Sequence, residues 1–223
     1  MLLVVMMDMA YLLILWQERA ITTAGAIPQS HFIEVYEKER QHKTNLPKTR
    51  WNPVPLNKFP RHVMKAFIIA EDTRFFIHHG FDINSIKLAI VESWSKKRLT
   101  RGASTISQQT AKNLFLTPQR SLLRKWHELV LTAVLEIRLS KQRILEIYLN
   151  VAEFGIGVYG VDAAARHYWR RPVERLTAQQ AAQLAATLPW PQRHNPATRT
   201  NTFLQHAKRI ARRAQTESFP ASR

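Results

Sequence analysis

Two acids stand side by side at Glu71 and Asp72, behind Val63, Ala66, Phe67 and Ala70 at helical spacing. Consecutive residues on a helix point about 100° apart, so the pair cannot share one task. One can face a cleft while the other binds local backbone or a nearby arginine. A carboxylate whose pKa burial lifts can serve as a base. Downstream, Lys112, Arg120, Arg124 and Lys125 are candidates for an anion clamp, with Arg supplying planar, bidentate forks. Glu128 follows Arg124 by one helical turn and shares its face. Taken singly, each feature has a plain alternative. Glu71 and Asp72 can be solvated acids at a helix end, Arg124 and Glu128 an ordinary helix ion pair, and Lys125 a solvated charge.

The elements that must position these groups read as helices. The one carrying Glu71 is expected over residues 61–79, with Gly80 permitting a turn. Asp82 or Asn84 can cap the next, which runs to about Arg98. Its apolar face of Ile83, Ile86, Ile90 and Trp94 closes on Lys96, Lys97 and Arg98, and suits either core packing or dipping into a membrane. Thr105 and Gln108 fit a capping box opening a helix with Gln108, Gln109, Lys112 and Phe115. A long helix over 122–139 carries Leu122, Trp126, Leu129, Ala133 and Ile137 along one side, and helix continues from Lys141 to Leu149. Gly155, Gly157 and Gly160 mark a tight loop before a small-residue helix near 163–168. Thr177 and Gln180 form a second capping box, opening an Ala-rich helix that Pro189 ends, and a basic helix covers about 201–214. Strand signals are nearly absent, so the fold class is mainly α.

A chain of 223 residues holds one domain and a short appendage. Its formal charge of +17 suits a polyanion or an anionic membrane surface. The absence of cysteine excludes disulfides and thiolate chemistry. No metal-ligand spacing occurs. Residues 1–16 are apolar but short for a bilayer span, with Asp8 in the middle. They suit a marginal anchor, an interfacial helix or the remainder of a longer anchor, with a buried core helix as the plain alternative.

Four stretches, in this order and spacing, carry a resemblance. They are Glu71-Asp72-x-x-Phe75; Arg101 to Asn113; Arg124-Lys125-x-x-Glu128; and Arg143 to Asn150 leading into Phe154-Gly155-Ile156-Gly157. Together they resemble the peptidoglycan glycosyltransferases of family 51, in the monofunctional biosynthetic form. The resemblance covers roughly residues 55 to 200. It implies a lysozyme-like glycosyltransferase domain over 55–200 with a small membrane-proximal lobe. An N-terminal membrane anchor over 1–20, a linker over 21–54 and a basic helix and tail over 201–223 complete the expected organisation.

Making a glycosidic bond requires a base for the attacking hydroxyl, help for the leaving group and ordered sugar subsites. A pyrophosphate leaving group takes cations rather than an acid. By the resemblance, Glu71 is the general base and Glu128 the second carboxylate, which organises the donor site. Lys112 and Arg120 contact pyrophosphate, Arg124 and Lys125 join the clamp, and Ser104, Thr105 and Gln109 line the cleft. The implied reaction joins lipid II to a growing glycan with inversion, forming β-1,4 bonds and releasing undecaprenyl pyrophosphate. The implied place is the outer face of the cytoplasmic (inner) membrane, with a single-pass anchor. Lipid II, the growing glycan and the membrane are the expected partners, other cell-wall synthases are admitted, and nucleic acid is not expected. No cofactor is required, with Mg²⁺ or Mn²⁺ admitted at the substrate pyrophosphate. A lysozyme-like hydrolase is the alternative, although it gains nothing from a cation cluster. A non-catalytic membrane adaptor of the cell-wall machinery is another.

Overall fold

The computed structural model describes residues 2–18, 21, 25–88, 104–119 and 121–218. Arg120 and the segment 89–103, with Ile90, Trp94, Lys96, Lys97 and Arg98, lie outside the described residues. In chain order the helices are α1 (Leu2–Glu18), α2 (His31–His42), α3 (Arg61–Glu71), α4 (Ile106–Phe115), α5 (Leu122–Arg138), α6 (Lys141–Val151), α7 (Val161–Trp169), α8 (Ala178–Thr187) and α9 (Asn201–Thr216). Short strands β1 (Arg50–Trp51), β2 (Glu153–Gly155) and β3 (Val158–Tyr159) and two 3-10 turns (Leu56–Lys58 and Val173–Arg175) accompany them among the described residues. The mainly helical class is as expected.

Helix ends follow local chemistry. Ser30, Ser121, Ser140 and Thr200 each cap a helix by accepting a backbone N–H. Both expected capping boxes form, Thr105 with Gln108 and Thr177 with Gln180. Asp82 accepts N–H bonds from Asn84 and Ser85 at 3.1 Å each, so of the two expected caps it is Asp82 that serves.

Two groups of helices share one apolar core. In one, α3, α8 and α9 pack together; in the other, α4 lies against α5 and α6. Small buried residues on α8 (Ala181, Ala182, Ala185) let α9 approach with Phe203, Ala207 and Ile210. The exposed side of α9 keeps Lys208, Arg209 and Arg212 in water. Phe67 of α3 meets Phe154 edge-on at 5.8 Å, a contact worth about 1 kcal/mol beyond burial.

Three features differ from the sequence expectation. First, α3 stops at Glu71 rather than continuing to 79. Asp72 adopts φ −160 while its N–H still bonds Ile68. Leaving the helix lets its carboxylate reach partners far along the chain, as described below. Second, the glycine loop is a hairpin. β2 runs antiparallel and β1 parallel to β3, giving the order β1-β3-β2. Such short strands, borrowed from 50–51 and 153–159, are set by tertiary register rather than by a run of β-formers. The sheet fastens the segment ahead of α3, and Trp51 Nε1 donates to the Asn150 carbonyl at 2.9 Å. Gly160 there has φ +82, and a Cβ would lie 2.7 Å from the Asn150 carbonyl oxygen. Third, of the row Leu122, Trp126, Leu129, Ala133 and Ile137 of α5, Leu129 and Ala133 are half-buried while Leu122, Trp126 and Ile137 face outward, at 92%, 49% and 81% exposure. The buried face instead carries His127, Glu128, Leu131, Thr132 and Leu135.

No helix among the described residues is long and apolar enough to cross a membrane. The 17 residues of α1 rise about 26 Å, against ~30 Å of hydrocarbon. Leu12 of α1 is buried on the domain and Trp16 stacks on Phe115 at 5.7 Å. Asp8 accepts from Trp126 Nε1 at 3.1 Å and pairs with His127 Nε2 at 2.6 Å.

Candidate active site

The site begins where α3 ends. Glu71, at the last helical position, is partly exposed, whereas Asp72 is buried. The two diverge as their adjacency requires. Asp72 turns into the protein and accepts the N–H of Ile106, the first residue of α4, at 3.0 Å. It also accepts from His78 Nε2 at 2.9 Å. His78 Nδ1 in turn accepts the Gly80 N–H at 3.1 Å, so the proton sits on Nε2. Among the described residues Asp72 therefore takes backbone and a histidine, and no arginine. The Gly80 carbonyl accepts from the Thr105 hydroxyl at 2.6 Å. A chain of buried polar bonds thus joins the end of α3, the turn at 72–80 and the start of α4.

That connection puts Gln109 against Glu71. Gln109 Nε2 donates to Glu71 Oε2 at 2.6 Å, while its Oε1 faces the Tyr148 hydroxyl at 3.5 Å. Burial pushes the Glu71 carboxyl above the ordinary glutamate range, and the nearby Asp72 charge pushes the same way. The Gln109 bond and the Lys112 charge oppose that rise. Tyr148 is held well above the usual phenol range by its burial, with the Glu71 and Asp72 charges adding to the effect. It stays a protonated donor to Gln109.

Beyond Gln109, a cleft of about 320 Å³ opens between α2, α4 and the start of α5. Gln108, Gln109 and Lys112 of α4, Arg124, Lys125 and Glu128 of α5, and Ser104, Pro118 and Phe32 line it. Glu128 is buried and accepts from Arg124 Nη1 at 3.1 Å and from Lys125 Nζ. Arg124 Nε is buried without a hydrogen-bond partner among the described residues. Lys112 Nζ makes no hydrogen bond or ion pair among the described residues. Burial lowers its pKa, Glu128 and Glu71 raise it, and Arg124 and Lys125 lower it further. Three cations against one neutralising carboxylate leave a cleft with spare positive charge, suited to a multiply charged anion.

Of the residues expected here, Glu71, Gln109, Lys112, Arg124, Lys125, Glu128 and Ser104 meet in or beside this cleft. Arg120 lies outside the described residues. Thr105 is elsewhere: it is buried at the cap of α4, its hydroxyl engaged with Gly80 and with the Gln108 N–H, so it holds the helix. Phe32 and Pro118 carry no motif signal in the sequence, whereas Gln108 is legible there both as part of the cap and as a residue one turn from Lys112 on the same face. Glu136 and Glu146 are structural. Glu136 binds Lys141 at 2.7 Å, and Glu146 binds Arg143 at 2.6 Å and the Leu56 N–H at 2.7 Å.

A divalent ion held by the protein would need a set of acid or histidine ligands. No group of three or more such residues forms among the described residues. Glu128 is already paired with cations and Glu71 with an amide, so the described donor set does not fit a resident metal.

The transglycosylase family model matches residues 38–215. Proteins named biosynthetic peptidoglycan transglycosylase are among the relatives. The one from Burkholderia thailandensis is 45% identical over 174 residues, covering 78% of this chain and 67% of the relative. That from Aeromonas hydrophila is 51% identical over 141 residues, 63% of this chain and 60% of the relative. That from Laribacter hongkongensis is 43% identical over 171 residues, 77% of this chain and 74% of the relative. The match reaches from the later turns of α2 almost to the end of α9, and so takes in both helix groups and the acid and cations that meet between them. This chain belongs to the transglycosylase family.

Proposed function

We propose that this protein is a peptidoglycan glycosyltransferase that polymerises lipid II into β-1,4-linked glycan strands for the cell wall. The observation that carries the reading is one continuous site. An acid of raised pKa, Glu71, is tied by Gln109 to a cleft with more cations than acids. Glu71 takes the proton of the N-acetylglucosamine 4-hydroxyl on the incoming lipid II. That oxygen attacks the anomeric carbon of the growing chain from the face opposite the leaving group. The bond from that carbon to the pyrophosphate oxygen breaks, its electron pair departs with undecaprenyl pyrophosphate, and the configuration inverts. Lys112, Arg124 and Lys125 meet the charge that develops on the departing oxygens. Glu128 holds Arg124 and Lys125 in place for that work. A hydrolase would have no use for this cluster.

The large lobe is read as lysozyme-like, and α1 as the described part of a membrane anchor with the catalytic domain on the outer face. The outward apolar groups Ile77, Ile83 and Leu88, with Leu122, Leu123 and Trp126 of α5, the last bonded to Asp8 of α1, support contact with the membrane that carries the substrate. Other cell-wall synthases are candidate partners. The test is purified protein with labelled lipid II and products resolved by size, alongside Glu71→Gln. Glycan ladders from the parent alone, with substrate binding kept by the variant, are expected. Full polymerisation by Glu71→Gln sinks the base assignment.

A further inference from the structure

We propose that Phe32 is a positioning residue of this cleft, its ring holding the Lys112 ammonium in place for an incoming pyrophosphate; this rests on the function proposed above. Phe32 belongs to none of the four motif stretches and lies ahead of the family match at 38–215. It reaches the site through α2. Ser30 caps that helix by accepting the Ile33 N–H at 3.3 Å, and Ile33 is buried at 1% exposure. With Ile33 fixed in the core and α2 packed on α4, the preceding side chain is turned to the cleft. The Lys112 ammonium sits 5.8 Å from the Phe32 ring centroid, within the range of a cation–π contact.

Lys112 has an unusual need for such a neighbour. It is largely enclosed, and its ammonium has no hydrogen-bonding or ion-paired partner among the described residues. Among the described residues the charged groups that act on it are Glu128 and Glu71, which favour its charge, and Arg124 and Lys125, which oppose it. Glu153 of β2 also feels the Lys112 charge. Arg124 and Lys125 already occupy Glu128. An aromatic face stabilises the ammonium without neutralising it, which a carboxylate would do. Lys112 thereby stays charged and available to an anion, and Phe32 gives it a fixed place from which to act.

Phe32→Leu keeps an apolar side chain of similar reach and removes the π face, and Phe32→Trp restores one. Two readouts follow, each on the full chain in detergent. The first is the pH dependence of Lys112 acylation by an amine-selective reagent, located by peptide mass spectrometry. Phe32→Leu is expected to move the Lys112 titration to lower pH, and Phe32→Trp to return it. The second is binding of inorganic pyrophosphate, with KM and kcat for lipid II. Phe32→Leu is expected to weaken pyrophosphate binding about 3- to 5-fold and to lower kcat/KM for lipid II by at least as much, with kcat sharing in the loss. A merely structural Phe32 would move thermal stability and leave the Lys112 titration alone. Titration and pyrophosphate affinity equal to the parent in Phe32→Leu would overturn the proposal, as would failure of Phe32→Trp to restore them. Lys112 titration and pyrophosphate binding need no turnover. If the parent protein makes no polymer, the proposed reaction fails while these measurements still decide the role of Phe32.

Discussion

Asp72→Asn separates the two adjacent acids by experiment. The substitution keeps shape and removes charge. The introduced amide can still accept the Ile106 N–H through its oxygen, but its own N–H groups then face the His78 Nε2–H. Moving the His78 proton to Nδ1 removes that conflict and creates another, because Nδ1 accepts the Gly80 N–H at 3.1 Å. One buried donor is unmatched either way. An unsatisfied buried donor costs about 1–3 kcal/mol, and exchanging charge-assisted bonds for neutral ones adds about 1 kcal/mol. The expected loss is thus about 2–4 kcal/mol, or a fall of roughly 5–15 °C in thermal midpoint for a chain of this size. Urea denaturation followed by circular dichroism measures it. A double-mutant cycle with His78→Ala should show strong non-additivity, since the second change removes the mismatched donor. Activity should fall too, because Asp72 holds the start of α4 and so the placement of Gln109 against Glu71. A stability within about 0.5 kcal/mol of the parent, or additive effects in the cycle, would refute the reasoning.

Three further outcomes are expected. Glu71→Gln should be more stable than the parent at neutral pH. Burial raises the Glu71 pKa, so the folded state binds that proton more tightly than the unfolded chain. Ionisation then weakens the fold as pH rises from about 4.3 through the raised value, and the stability gap between variant and parent should close below about pH 4. Lys112→Ala should shift the acid limb of the kcat/KM profile to higher pH, because the Lys112 charge is one of the effects that lower the Glu71 pKa. A limb that stays put would detach Lys112 from Glu71, and unchanged lipid II affinity would remove it from the clamp. Gly80→Ala should cost about 1–3 kcal/mol in chemical denaturation. Its φ is +88, and a Cβ would lie 3.0 Å from both Glu136 Cγ and Thr132 Cγ2. Glu136 cannot readily withdraw, being bound to Ser107 and Lys141.

Much of the site was legible without coordinates, because its parts are local. The capping box at Thr105 and Gln108 fixes where α4 begins, so Gln108 and Lys112 fall one turn apart on one side, with Gln109 next to them in sequence. The spacing of Arg124, Lys125 and Glu128 places two cations and one acid within a single turn of α5. The adjacency of Glu71 and Asp72 already required divided roles. Tertiary structure decided the rest, and in each case a partner distant in sequence was the cause. Periodicity carried α3 on to 79; the Ile106 N–H and His78 draw Asp72 out of the helix at 72. The helical pattern of α5 showed an apolar row, yet the buried side is the one bearing Glu128, where α4 and α5 close on the cleft. Thr105 had the chemistry of a cleft hydroxyl until the Gly80 carbonyl engaged it. Phe32 had no chemistry of its own to be noticed, and matters only because α2 folds onto α4 and sets a ring beside Lys112. Helix caps and charge spacing are settled within four residues along the chain, whereas burial, hydrogen-bond partners far in sequence and the shape of a cleft exist only once the helices have packed.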